Sequence, residues 1–239
     1  MPGPIENLAF FPRAIRKRGW RGSAGLAISK LYDTLFDLRY GTDTVSWQEV
    51  ASLTGTVGDV AHAVHYQPTD VIPLRKLLRV LDLEPGRVLV DFGSGKGRVL
   101  MVAAPFGFRA LRGVEFSAGL CDIARRNIDR YRAKTSWNVD FEVIHGDASE
   151  YLVRDDEDVF FLFNPFDDHV LRRVMENISR SFQATPRPML LLYRNPVYEA
   201  CVTDHSPFEK VASHVLWGSD FSVFEAGREF RSRGQDAQG

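Results

Sequence analysis

Eight residues, Asp91-Phe92-Gly93-Ser94-Gly95-Lys96-Gly97-Arg98, carry the clearest chemical pattern in this 239-residue chain. They join an apolar run, Val88-Leu89-Val90, to a second one that begins at Val99. Glycine at every second position lets the backbone turn sharply and lets a ligand come closer than a Cβ would permit. A phosphate-cradling Walker loop needs Ser or Thr after Gly-Lys, and here Gly97 follows Gly95-Lys96. A dinucleotide loop is spaced G-x-G-x-x-G. The third glycine comes one residue early for that, and Asp91 would repel a pyrophosphate, so the dinucleotide reading is weakened but stays open. An acid two residues ahead of G-x-G-x-G suits a ligand with positive groups and no phosphate.

S-Adenosyl-L-methionine is such a ligand: an ammonium, a sulfonium, a ribose and an adenine. Three later stretches extend the pattern. Glu115, in Gly113-Val114-Glu115-Phe116, lies 24 residues after Asp91, and a carboxylate there can accept hydrogen bonds from both hydroxyls of a ribose. Gly146-Asp147-Ala148 and Asn164-Pro165-Phe166 close two further apolar runs. In this order the four stretches resemble the class I S-adenosylmethionine-dependent methyltransferases, over roughly residues 87 to 226. The resemblance implies that Asp91, Gly93, Ser94, Gly95 and Gly97 face the methionine end of the cofactor. It gives Glu115 and Phe116 to the ribose side, Asp147 and Ala148 to the adenine edge, and Asn164, Pro165 and Phe166 to the edge of the transfer site. Tyr66-Gln67-Pro68-Thr69, the glycine loop and Phe163-Asn164-Pro165-Phe166 together are similar to protein lysine methyltransferases that lack a SET domain, which adds Tyr66 to the transfer site. Asn164-Pro165-Phe166 departs from the Asn-Pro-Pro-aromatic pattern of enzymes acting on planar amino groups, because the second proline is missing.

These residues need a frame that brings strand ends together. Short apolar runs at 87–91, 110–115, 141–145, 159–163 and 189–193 alternate with helical patterns, the mark of βαβ units. Ser117 is placed to cap the helix that carries Leu120, Ala124, Ile128 and Tyr131. Residues 210–217 and 221–224, joined by Gly218-Ser219-Asp220, read as a closing antiparallel hairpin. Ahead of the first strand, helices are expected over 23–39, with an apolar stripe of Leu26, Ile28, Leu31, Leu35 and Phe36 packed on the domain, and from Thr69 or Asp70, as cap, to Leu83. The expected architecture is α/β, a doubly wound and mostly parallel seven-stranded sheet with a C-terminal antiparallel hairpin and an N-terminal helical extension. We divide the chain into a basic arm and helical extension (1–70), a cofactor-binding domain (71–228) and a polar tail (229–239).

Composition narrows the partners. With 30 Lys and Arg against 31 Asp and Glu the formal charge is −1, which disfavours nucleic acid held by a general excess of positive charge. Residues 11–21 hold five basic groups and no acid, with Phe11, Ile15 and Trp20 among them; this is a solvated arm or a contact for an anionic partner. Cys121 and Cys201 have no disulfide or metal spacing and are read as reduced. His62 and His65 lack companion ligands, so no metal is expected. No apolar run is long enough to span a bilayer, so no membrane partner and a cytoplasmic location are expected. Lys96 and Arg98, odd beside a cationic cofactor, are read as facing solvent or pairing with Asp91 or a substrate carboxylate. His145, His169, Asp167 and Asp168 are the candidate bases, with His145 read as packed or capping and the aspartates as helix-start residues. Tyr193 and Asn195 are further pocket candidates. The expected partners are therefore the cofactor and an unidentified methyl acceptor, a protein or a small molecule.

Overall fold

The computed structural model describes residues 25, 28–46, 68–163 and 167–227. Helix α1 covers 28–40. It is followed by α2 (Val71–Leu81), β1 (Val88–Phe92), α3 (Arg98–Ala103), β2 (Ala110–Glu115), α4 (Ala118–Arg132), β3 (Asp140–His145), β4 (Val159–Leu162), α5 (Asp168–Ala184), β5 (Met189–Arg194), α6 (Glu199–His205), β6 (Glu209–Leu216) and β7 (Ser219–Ala226). The seven strands form one sheet in the order β3-β2-β1-β4-β5-β7-β6. β3, β2, β1, β4 and β5 run parallel, and β7 pairs antiparallel with both β5 and β6. The expected sheet and its closing hairpin are thus both present. The order reverses between β1 and β4, which opens a crevice at their carboxyl ends.

β1, β2, β4 and β5 are buried along their whole length, because helices cover both faces of the sheet. Period-2 alternation then divides the core. Leu89, Leu111, Phe161 and Leu192 join α2, α3 and α4 on one face, while Val90, Val114, Phe160 and Leu191 pack on α5 on the other. Ser117 caps α4 by accepting from the Leu120 N–H at 3.4 Å, and Asp167 caps α5 by accepting from the Val170 N–H at 3.1 Å. α6 is an element that the sequence pattern does not reveal, since Val202 is its one buried residue.

Two expectations for the N-terminal extension are corrected. α1 does not pack through its leucine stripe: Ser29, Asp33 and Phe36 are buried, while Ile28, Leu31 and Leu35 are 49%, 61% and 50% exposed. Leu26 lies outside the described residues. The inward face is polar because a buried cation of the domain waits there, and it is completed by an aromatic cluster in which the Tyr40 and Tyr131 rings lie 4.6 Å apart. Nor does Asp70 cap α2 with its side chain; that carboxylate is taken by Lys30 and Arg194. Residues 1–24 and the tail from 228 lie outside the described residues, as do His62 and His65.

Candidate functional site

The glycine loop turns at the end of β1 with Gly93, Gly95 and Gly97 all at positive φ, where an L side chain is strained. The N–H groups of Gly93 and Ser94 both donate to the Val114 carbonyl, at 2.9 and 3.1 Å, which ties the loop to β2. Gly113 makes this possible. A Cβ there would sit 2.6 Å from the Ser94 Oγ and 2.7 Å from its Cβ. Gly113→Ala is therefore expected to displace the loop and destabilise the fold by about 1–3 kcal/mol, read as a lower urea midpoint; an unchanged midpoint would show that Ser94 moves at no cost.

Glu115, at the end of β2, reaches under the same loop. Its Oε2 accepts from the Gly95 N–H at 2.8 Å and its Oε1 from the Ser117 N–H at 3.0 Å. The Phe116 N–H also bears on this carboxylate, whose remaining lone-pair capacity is open to a further donor. Asp91 and Glu115 are both nearly sealed, at 3% exposure each. Burial raises the Asp91 carboxyl well above its ordinary range, and the neighbouring charge of Glu115 adds to this. Burial also raises Glu115, against the lowering effect of the Ser117 and Gly95 N–H groups. Among the described residues no Lys or Arg pairs with either acid.

The two cations of the loop are turned the other way, toward Asp43 and Asp33, so both the solvent-facing reading and the pairing with Asp91 are corrected. Lys96 is fully buried, and its Nζ donates to the Ser46 carbonyl at 2.9 Å and to the Ser46 hydroxyl, with Asp43 at 3.4 Å. Arg98 is 2% exposed. Its Nε donates to the Thr44 Oγ1 at 2.7 Å and its Nη1 to the Thr69 carbonyl at 3.2 Å. The same Nη1 lies 3.1 Å from Asp33 Oδ2, an ion pair that lacks hydrogen-bond alignment. Asp37 shapes the receiving turn by accepting from the Thr44 and Val45 N–H groups at 2.8 and 2.9 Å. Asn127 of α4 locks it: its Nδ2 donates to the carbonyls of Asp43 and Lys96, both at 3.1 Å. Asp70 and Arg194 add a second buried pair. Burial pushes the Asp33 carboxyl up to about 6 despite Arg98. Burial would do the same to Asp70, but Arg194 and Lys30 outweigh it and hold Asp70 below its ordinary value.

Asp147 follows β3 and is half-buried, accepting from the Ser149 N–H at 2.7 Å; Ala148 beside it is buried. Phe116 is half-buried next to Glu115, and its carbonyl lies 3.1 Å from His145 Nε2. The fold thus brings Asp91, Gly93, Ser94, Gly95, Gly97, Glu115, Phe116, Asp147 and Ala148 to the carboxyl ends of three adjacent parallel strands. Asn164, Pro165, Phe166 and Tyr66 lie outside the described residues. His145 is exposed, so it is not packed in the core, and Tyr193 is buried within it. Arg194 was not anticipated. It ends β5, stacks 4.0 Å from the Phe163 ring centroid and leaves its Nη1 buried without a hydrogen-bond partner. Its only sequence signal is a charge closing an apolar strand.

No protein-family model and no curated protein matches the chain. Solved structures do. A SAM-dependent methyltransferase from Aquifex aeolicus aligns with a TM-score of 0.52 at 14% identity, over 65% of this chain and 89% of that one. A TehB-like SAM-dependent methyltransferase from Corynebacterium glutamicum gives 0.50 at 16%, over 67% and 90%. A protein of the NADB-Rossmann superfamily from Streptococcus agalactiae gives 0.51 at 17%, over 70% and 72%. With a sheet that is parallel from β3 to β5 and closed by an antiparallel hairpin, the chain has the Rossmann-like α/β fold found in SAM-dependent methyltransferases of known structure.

Proposed function

We propose that this chain is an S-adenosyl-L-methionine-dependent methyltransferase. One observation carries the reading: two buried, adjacent carboxyl groups, Asp91 and Glu115, face a glycine turn from which both local cations have been drawn away. Such a site rewards a ligand that brings positive charge and hydroxyl donors, and it penalises a pyrophosphate. The fit to S-adenosylmethionine follows residue by residue. Asp91, Gly93, Ser94, Gly95 and Gly97 take the methionine end, Glu115 with Phe116 the ribose, and Asp147 with Ala148 the adenine edge. Asn164, Pro165, Phe166 and Tyr66 border the acceptor. When bound, the cofactor supplies an electrophilic methyl group whose leaving group is a neutral thioether. The chain's part is to orient and to exclude water, which accounts for much of such a rate.

The acceptor we infer is an amine that arrives neutral and needs no protein base, a protein lysine being one such group. This rests on the state of the candidate bases. Asp167 is spent on capping α5, while Asp168, His145 and His169 are exposed, where a carboxylate or imidazole has little of the burial that tunes a catalytic base. Calorimetric titration with S-adenosylhomocysteine tests the central claim. Saturable binding by the parent, its loss in Gly95→Val and no competition by NAD are the expected results. Binding of NAD in place of S-adenosylhomocysteine would make the chain a dinucleotide enzyme, and binding without methyl transfer to any acceptor panel would make it a non-catalytic module.

A further inference from the structure

We propose that the outer face of α1 pairs antiparallel with the same face of a second copy of this chain, across a two-fold axis. Ile28, Leu31, Leu35 and Leu38 are 49%, 61%, 50% and 72% exposed, and they lie on the side of α1 opposite the buried Ser29, Asp33 and Phe36. Tyr32, 41% exposed, flanks the row, and Trp217, 40% exposed, lies beside Gly25 at its N-terminal end. The row offers roughly 500 Å² of apolar surface, a size at which an exposed patch is often an interaction site. Two such rows would cover on the order of 1,000 Å² between them, about what a specific interface needs. Among the described residues no helix is long and apolar enough to cross a membrane.

Spacing selects the occupant. The four positions follow one another at intervals of three, four and three residues, the narrow seam that one helix shares with another rather than a broad apolar face. That series reads the same from either end. A two-fold axis through its middle therefore sets Leu31 against Leu35 of the second copy and Ile28 against Leu38. Charge agrees, because all four charged side chains of α1 are answered within the chain. Lys30 pairs with Asp70 at 2.9 Å and Asp33 with Arg98 at 3.1 Å. Asp37 accepts from the Thr42 hydroxyl and the Thr44 N–H, and Arg39 lies 5.5 Å from the Tyr40 ring centroid. The rim thus holds no unanswered charge for an acidic or basic partner, while an identical helix brings only its own apolar row. Parallel pairing would set Arg39 level with its counterpart; antiparallel pairing parts the two by about 18 Å along the seam. α1 is already held by the Arg98 pair and by Tyr40 against Tyr131, so docking has little left to order.

Sedimentation velocity of the full chain over a range of concentrations tests this. The parent is expected to be a dimer that dissociates on dilution. Leu31→Glu with Leu35→Glu sets acid against acid at both central contacts and should raise the dissociation constant about a hundredfold or more. Leu31→Glu with Leu35→Lys sets Glu against Lys in the antiparallel pair, and should recover about tenfold or more of that loss; in a parallel pair it would oppose like charges. Far-UV circular dichroism of both variants should match the parent, since both side chains face outward. A monomeric parent overturns the proposal, and its sedimentation with vesicles of phosphatidylcholine and phosphatidylglycerol would assign the row to a membrane surface. A dimer that the Glu–Glu variant retains overturns it as well, and a Glu–Lys variant no more dimeric than the Glu–Glu one overturns the antiparallel pairing. Loss of helical signal in either variant would assign the row to cover by this same chain, again against a second copy.

Discussion

Glu115→Gln is expected to lower affinity for S-adenosylhomocysteine about ten- to a hundredfold and to cost about 1–3 kcal/mol of stability. The carboxylate spends one lone pair on the Gly95 N–H and another on the Ser117 N–H. An amide can present its oxygen to one of these donors only, so whichever way it turns, its NH2 meets the other. That buried donor loses its acceptor, at about 1–3 kcal/mol. A ribose hydroxyl also exchanges a charged acceptor for a donor, a further loss of about 1.5–3 kcal/mol. At about 1.4 kcal/mol per tenfold, the ribose loss spans about one to two orders of magnitude in affinity, whereas the orphaned N–H is present with or without ligand and falls on stability. Titration calorimetry reads the affinity and a melting curve reads the fold. An unchanged affinity in a folded Glu115→Gln protein would place the ribose elsewhere and remove Glu115 from the site.

The second large effect lies outside the cleft. Arg98→Met is expected to destabilise the protein by about 3–5 kcal/mol, the range for removing one partner of a buried ion pair. The cost arises because Asp33, 1% exposed, keeps a buried carboxyl without its cation, and the Thr69 carbonyl and Thr44 hydroxyl lose their donor. Its pH dependence has a defined sign. The Asp33 carboxyl already titrates at about 6 because burial outweighs Arg98, so in the parent it contributes stability that is full below its unfolded value near 3.8 and is lost as pH rises through about 6. Without Arg98 the folded carboxyl holds its proton more tightly still. The deficit of the variant is then constant below about pH 6 and grows as pH rises above it. Urea midpoints between pH 5 and pH 8 would show this as roughly parallel curves that diverge at the alkaline end. Trypsin cleavage at Lys30 and Arg39 should accelerate as α1 loosens. A deficit that shrinks with pH would mean that Arg98 is held by contacts other than Asp33.

The centre of the sheet was legible because β1, β2, β4 and β5 are buried on both faces and read as largely apolar runs; β2 falls on Ala110–Glu115 as expected. Strand ends were legible too, since Asp91, Glu115 and Asp147 each close such a run, and a parallel sheet gathers those ends on one side. The orientation of α1 was not. A stripe of leucines tells which side of a helix is apolar and not which side is buried, and here Asp33 wins the inward position because Arg98 would otherwise be sealed without a counter-charge. The partners of Lys96 and Arg98 were equally hidden, because ion pairs across 53 and more residues leave no local spacing. α6 escaped because a single buried valine sets no period.

The Asp70–Arg194 pair joins residues 124 apart, which bears on the order in which the molecule is made. At ~5–20 residues per second, Asp70 is added to the chain roughly 6 to 25 s before Arg194. By the end of that interval α1 and α2 have been made, but the cation at the end of β5 has not, and the leucines of α1 have no further cover. The last long strand pairing of the parallel sheet and the clasp that fixes the extension are therefore one event, so a nascent chain ending before β5 carries a glycine loop whose flanking helices are only half secured.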